Sequence, residues 1–328
     1  MKTIFLGATA YSAEMLNCLL DNGVNVSAVF MIPKEFHLKK RGVQVETKFG
    51  NSNFFDLQVI ADRYQIPSYT VDSLDGRTLG NYAEVIENIS PDLILVLGWY
   101  YIVPKNIRDL AVHGAVGIHA SLLPDYAGGS PLVWAIMRGE TRTGITMFRM
   151  EDGVDDGDIL AQSEIQIDIA DTIGSLYKKV TDASKEMLVA ELAKMRSNIH
   201  QFIPQEKDRI HPLPIRTPEY GLVNWDQKPI VLYNFVRAQT KPYPCAYSYL
   251  DSRKIKFVSV ALPDNVNSLL IGELGRLFEY KGKVWVHCAE GAIQPLVIDV
   301  DGSEYDFSTY CRDYFLIGQI FQITQQSE

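Results

Sequence analysis

The sequence lacks any stretch that would carry it into a membrane. No run approaches the roughly 18 uncharged apolar residues of a spanning helix. Met1-Lys2 leads straight into a strand pattern, without the charged, apolar and small regions of a signal peptide. Cysteine is scarce and unpaired: Cys18, Cys245, Cys288 and Cys311 lie far apart with no C-x-x-C spacing, which argues against a zinc ribbon or redox motif and fits a reducing compartment. The cytoplasm is the expected location. Positive charge is also short, 31 Lys plus Arg against 40 Asp plus Glu for a net charge of −9. Proteins that hold nucleic acid usually present a basic face. From Lys207 onward the count is 13 Lys plus Arg against 14 Asp plus Glu, so that part is near neutral and only a local basic patch remains open to it. Repeats and low-complexity tracts are missing, and so is a G-x-G-x-x-G dinucleotide fingerprint.

What is present is a chain of 328 residues, 47% hydrophobic, long enough for about two domains with a packed core in each. Apolar runs at Lys2 to Leu6, Val24 to Met31, Ile66 to Thr70 and Asp92 to Leu97 alternate with helical patterns at Ala13 to Leu20, Phe54 to Tyr64 and Leu79 to Ile89. That alternation predicts an α/β fold with a doubly wound, mainly parallel sheet. Between them Pro33 to Gly42 reads as a basic loop, either solvated or in contact with an anionic acceptor. Strands are expected at Gly144 to Met150 and Ile159 to Ile167. Thr172 to Met195 carries an amphipathic helix with Ile173, Leu176, Val180, Ala183, Met187, Leu188 and Leu192 on one face. Asn198 to Pro214 shows no clean period and reads as a linker. After it come a helix at Pro229 to Ala238 and five short strands between Ala246 and Val300, which predict a small open β-barrel. The expected domains are 1–206 and 207–328.

Two runs stand out as carriers of chemistry. Ala115 to Ile118 is a short apolar strand that delivers His119 into a turn containing Pro124, Gly128 and Gly129, with Ser130 as expected N-cap and Pro131 as first residue of a helix. His119 thereby sits at a strand's carboxyl end, where open α/β sheets hold their sites. The second run, Glu151 to Leu160, is acidic and glycine-punctuated, a loop between strands. Asp155 lies 36 residues beyond His119 (155 minus 119), with one helix and one strand between to bring them together. Asp152, Asp156 and Asp158 raise the question of a cation, but a Ca²⁺ loop needs D-x-D-x-D-G spacing and a distal Glu; no metal site is expected.

His119-Ala120-Ser121-Leu122-Leu123-Pro124, Thr143 to Thr146, and Asp152 to Ile159 occur in an order that resembles the formyltransferases that use 10-formyltetrahydrofolate. Arg216-Thr217-Pro218-Glu219, Tyr233 to Ala238 and Lys241 to Pro244 resemble the accessory domain shared by methionyl-tRNA formyltransferases and nucleotide-sugar N-formyltransferases. The resemblance implies an open-barrel (OB-like) second domain, and His119 and Asp155 as catalytic residues. It also implies a pterin pocket for 10-formyltetrahydrofolate drawn from Trp99, Tyr101, Ile102, Ser121, Asp152 and Gly153. The aromatic run at Trp99 to Tyr101 reads on its own as either packing or a flat ligand surface. The turn Gly7, Thr9, Tyr11, Ser12 reads either as helix packing or as a contact for a phosphate or sugar of the acceptor.

One departure marks the central motif: the family carries an asparagine two residues before the histidine, and here that residue is Gly117. Asp125 and Ala127 also replace residues that are often basic in the turn. The acidic balance favours a UDP- or dTDP-linked amino sugar as acceptor over tRNA. A folate- or nucleotide-binding protein with little catalysis is a third reading, resting on Gly117. Aromatic residues of the second domain, Phe257, Phe278, Tyr280 and Trp285, are candidates for a homodimer face.

Overall fold

The computed structural model describes residues 1–39, 46–50, 53–72, 78–214, 216–263 and 272–322, with the backbone alone over 36–39 and 46–50. The chain forms two compact units that interleave in sequence, one of residues 1–128, 143–165 and 178–213, the other of 129–142, 166–177 and 214–328.

In chain order the first elements are β1 (Lys2–Leu6), α1 (Ala10–Asp21), β2 (Asn25–Met31), β3 (Glu35–Lys39), β4 (Glu46–Gly50), α2 (Gln58–Arg63), β5 (Ser68–Thr70) and α3 (Ala83–Ile89). They are followed by β6 (Leu93–Val96), α4 (Lys105–Arg108), β7 (Ala115–His119), α5 (Pro131–Met137), β8 (Arg142–Arg149), β9 (Ile159–Gln166) and α6 (Ile173–Arg196). Seven strands make one sheet in the order β5-β2-β1-β6-β7-β8-β9. From β5 to β7 neighbours run parallel, and β8 turns antiparallel against β7. This is the doubly wound, mainly parallel sheet that the alternation predicts. β6, Leu-Ile-Leu-Val, is buried at every position, as a central parallel strand covered on both faces must be. Because β6 and β7 are parallel neighbours, with Val96 opposite Gly117, the aromatic run after β6 and His119 emerge at the same edge of the sheet.

Several expectations change. Pro33 to Gly42 is not simply a loop: Glu35–Lys39 pairs antiparallel with Glu46–Gly50, while 40–42 lie outside the described residues. Glu35 to Lys39 does alternate polar and apolar, Glu-Phe-His-Leu-Lys, but it is only five residues long and runs into Lys40 and Arg41, so its charge hides the strand. Leu79 to Ile89 splits into a 3-10 turn, Thr78–Tyr82, and the helix α3. Asn198 to Pro214 is more than a linker. Ile203 bridges Ile159, and Leu213 pairs with Gly128, so the segment is a strap bound to the first unit. The long helix keeps its face: Ile173, Leu176, Val180, Met187, Leu188 and Leu192 are buried, with Ala183 at the margin.

The second unit adds α7 (Pro229–Arg237), β10 (Ala246–Leu250), β11 (Arg253–Ala261), β12 (Leu277–Tyr280), β13 (Lys283–Cys288), β14 (Gly291–Val300), β15 (Ser303–Asp306) and α8 (Phe307–Asp313). Its antiparallel sheet runs β10-β11-β14-β13-β12, with β15 also on β14. β15 is absent from the expectation because all four of its residues are exposed and polar or aromatic, with no apolar face to signal a strand. The two ends of the sheet are joined by residues 318–322. Leu277 donates its N–H to the Gln319 carbonyl at 2.8 Å and Phe321 donates to Gly275 at 2.9 Å, both on the β12 side. Gln322 donates to Tyr249 of β10 at 2.9 Å, so this segment links both edges and gives the sheet its barrel character. Inside, Trp225 stacks on Phe321 at 5.2 Å and meets Phe257 edge-on at 5.6 Å. Phe257 is therefore a core residue with no exposed surface and drops out of the candidate dimer face.

Candidate active site

Register places His119 opposite Thr146 at the carboxyl end of β7. The Thr146 hydroxyl braces the turn that follows, donating to the Ser121 carbonyl at 2.7 Å and accepting from the Leu123 N–H at 3.0 Å. Gln162 adds a donation to the Leu123 carbonyl at 2.7 Å. Ser121 is buried and donates its one hydroxyl proton to the Asp125 carbonyl at 2.7 Å. That proton is engaged within the turn, so Ser121 acts here as a brace and is not held out toward a ligand.

The turn then brings His119 and Asp155 together. His119 Nδ1 lies 3.5 Å from Asp155 Oδ2, with the two side chains 12% and 21% exposed. His119 Nε2 lies 2.9 Å from the Tyr126 carbonyl oxygen, which can only accept, so this contact calls for a proton on Nε2. The same Asp155 oxygen accepts the Gly128 N–H at 2.8 Å. Gly128 has φ +96 and lies so near Leu213 that a side chain there would collide with its backbone, which explains why glycine occupies the turn. Asp155 itself, at φ 52, and Tyr126, at φ 59, hold left-handed backbones without being glycine, a form of strain that clusters at functional sites.

The other predicted residues separate into groups. Asp152 pairs with Arg108 of α4, whose side chain is 6% exposed. Gly153 follows, lying against the Asp156 carboxylate, and Asp156 pairs with Lys207 at 3.3 Å, so the acidic residues point to different partners. Trp99 and Tyr101 form an edge-to-face pair with centroids 5.8 Å apart. Tyr101 is buried, Trp99 half-buried and Ile102 57% exposed. The Trp99 indole N–H is buried without a hydrogen-bond partner among the described residues, which fits a flat heterocycle whose ring carries acceptor atoms.

Gly7, Thr9, Tyr11 and Ser12 look inward. Thr9 and Ser12 form a reciprocal capping box at the start of α1, and Ser12 Oγ donates to the Leu97 carbonyl at 2.6 Å. The Tyr11 hydroxyl is buried toward Ser184 of α6, and burial pushes its pKa well above the ordinary phenol value. The Thr9 and Ser12 hydroxyls are committed to the fold. Ser130 is likewise not a capping side chain: it sits at the N-cap with φ 55 and no cap bond, and its Oγ is 3.5 Å from the Arg216 N–H.

Three residues with a place at the site escaped the sequence. A side chain at Gly117 would run into the Met150 methyl group, so Met150 fills the space left by glycine on that face of β7. Arg108 and Gln205 both reach the acidic loop from segments that carry no motif of their own.

The model of the family described as Formyl transferase matches residues 1–192, and that of Formyl transferase, C-terminal domain matches residues 216–313. The chain belongs to the formyl transferase family. It is an enzyme of formyl transfer, with formyl-tetrahydrofolate as donor. A methionyl-tRNA formyltransferase of Desulforamulus reducens is 30% identical over 267 residues, 81% of this chain and 80% of its own. Among solved structures, HypX from Aquifex aeolicus superposes with a TM-score of 0.63 at 17% identity, covering 96% of this chain and 48% of HypX. The N-formyltransferase from Helicobacter canadensis, in complex with folinic acid and dTDP-3-aminofucose, superposes with a TM-score of 0.59 at 18% identity, covering 93% and 100%. These two structures share the fold. Among the described residues no helix is long and apolar enough to cross a membrane.

Proposed function

We propose that His119 and Asp155 transfer the formyl group of 10-formyltetrahydrofolate to the amino group carried by a charged initiator tRNA. Residues 1–206 would carry the chemistry and 207–328 the accessory domain. The observation that carries the chemistry is the His119–Asp155 pair, 3.5 Å apart and only partly exposed at the edge of the sheet. Support for the acceptor comes from the relative named methionyl-tRNA formyltransferase, which matches about four fifths of both chains. The acidic balance favours a sugar, and it carries less weight than similarity running through both domains.

The bound donor supplies the formyl carbon and the nitrogen that leaves it. His119 is placed to handle protons, since imidazole both donates and accepts near neutral pH. As the formyl oxygen gains charge, an Nε2–H released from Tyr126 can donate to it. Asp155, fixed by the Gly128 N–H, lies 3.5 Å from Nδ1, where it can accept that nitrogen's proton when the ring carries one there as well. Trp99, Tyr101, Ile102, Asp152 and Gly153 would line the donor's heterocycle.

A second reading keeps the nucleotide-linked amino sugar as acceptor. It is favoured by the net charge of −9 and the near-neutral second domain, which offer little to a phosphate backbone. One assay offering charged initiator tRNA beside UDP- and dTDP-linked amino sugars separates the two. Formylation of a sugar alone would overturn the tRNA reading; loss of all transfer in the wild-type protein would remove both in favour of a binding role.

A further inference from the structure

We propose that Gln205 is a positioning residue for the reaction, holding Asp155 in its strained backbone. This rests on the reading that Asp155 acts with His119. Gln205 lies on the strap after α6, far in sequence from either motif, and is 8% exposed. Its Nε2 donates to the Asp155 carbonyl at 2.9 Å and to the Gly157 carbonyl at 2.6 Å. A side-chain amide nitrogen has two hydrogens, and here each has a carbonyl. Turning the amide over would set Oε1 against two acceptors, so the chemistry allows one orientation only.

The need for such a brace follows from the loop. Between β8 and β9 the chain forms no ladder, and Asp155 takes φ 52, a conformation that a non-glycine residue keeps only when its surroundings impose it. The two carbonyls held by Gln205 are that of Asp155 itself and that of Gly157, two residues on. The Asp155 carboxylate meanwhile accepts from Gly128 at 2.8 Å and faces His119 at 3.5 Å. Gln205 thus fixes the backbone from one side while the carboxylate works on the other. The structure contains a direct reporter of this arrangement, because the Gly128 amide has the Asp155 carboxylate as its acceptor.

The test is a graded series read in two ways. Gln205→Met keeps the length and removes both donors; Gln205→Asn keeps the amide but is one methylene too short to reach both carbonyls. Formyl transfer and Gly128 amide hydrogen exchange are measured on the full chain, at a temperature where circular dichroism shows each variant folded. Because a displacement of about 1 Å at a reacting centre can cost roughly 10²-fold, Gln205→Met should lose on the order of 10²-fold in kcat, with KM for donor and acceptor within about twofold. Gly128 exchange should accelerate by about tenfold or more, with Gln205→Asn between Met and wild type on both readings. Unchanged kcat and unchanged Gly128 exchange in either folded variant would overturn the proposal, as would a loss confined to thermal stability. If the wild-type protein formylates no acceptor, the functional reading fails, and the exchange series still decides whether Gln205 holds Asp155. Should Gln205→Met not fold, Gln205→Asn alone decides both readings.

Discussion

Two strand-to-helix turns of this molecule begin alike and end differently. After β1, Gly7 to Ser12 carries threonine, tyrosine and serine at the carboxyl end of a central strand. After β7, His119 to Gly128 carries histidine, serine, aspartate and tyrosine in the same topological position. In the first turn the threonine and serine hydroxyls are buried and committed: Ser12 accepts from the Ala8 and Thr9 N–H groups at 3.1 Å each while donating to Leu97. In the second, the hydroxyls brace the backbone, and His119 and Asp155 remain partly exposed with Nδ1 and Oδ2 facing each other. A polar residue at a strand end is therefore a weak sign of function until its hydrogen bonds have been counted.

The contrast can be tested from the largest effect down. His119→Ala should lower formyl transfer by about 10²–10⁴-fold, the usual worth of a positioned acid–base group, with little change in melting temperature. A loss below tenfold in a steady-state assay would place the chemistry elsewhere. Gly117→Asn is expected to reduce turnover by roughly 10²-fold, because its side chain must displace the Met150 methyl and move the face that carries His119. Adding Met150→Ala should recover part of that loss; a rise of more than tenfold in the single Gly117→Asn variant, with acceptor binding unchanged, would mean that glycine merely removed an oxyanion donor.

In the first turn the expected effects move from rate to stability. Ser12→Ala leaves the Thr9 N–H without its Oγ partner and removes the Leu97 tie, so chemical denaturation should show a loss of about 1–3 kcal/mol with turnover per folded molecule unchanged. A tenfold fall in turnover would return this turn to the acceptor site. Tyr11→Phe should be the mildest, within about 1 kcal/mol and neutral for activity, since its buried hydroxyl faces only the Ser184 side chain. A raised KM for a nucleotide-linked sugar would contradict this.

The sheet and the long helix were legible because periodicity follows burial: β6 reads as a continuous apolar run, and α6 shows its stripe directly. His119 and Asp155 were legible because their runs resemble a known family. What stayed hidden depends on contacts between distant segments. Gln205 follows a proline in an aperiodic stretch, and nothing near it in sequence signals that its amide meets Asp155, 50 residues away. Met150 reads as the last apolar residue of a strand, and only the pairing of β7 with β8 brings it over Gly117. The inward direction of Thr9 and Ser12 was equally invisible, because a capping box and a phosphate loop use the same residues.

The segment 318–322 has a consequence for the protein's behaviour in crowded solution. Strand edges with unpaired N–H and C=O groups recruit other chains, and proteins keep them covered. Here one short piece of chain covers two edges at once, Gly275 to Leu277 on one side and Tyr249 on the other, while Phe321 fills the space beside Trp225. Removing it would uncover the Gly275–Leu277 edge and the Tyr249 end of β10, whose Tyr247 stays paired with Leu222 and Val223, together with an aromatic hollow. Such a truncated chain would face the solvent with two sticky rims, and self-association into β-rich aggregates would compete with folding even though His119 and Asp155 were both still in place.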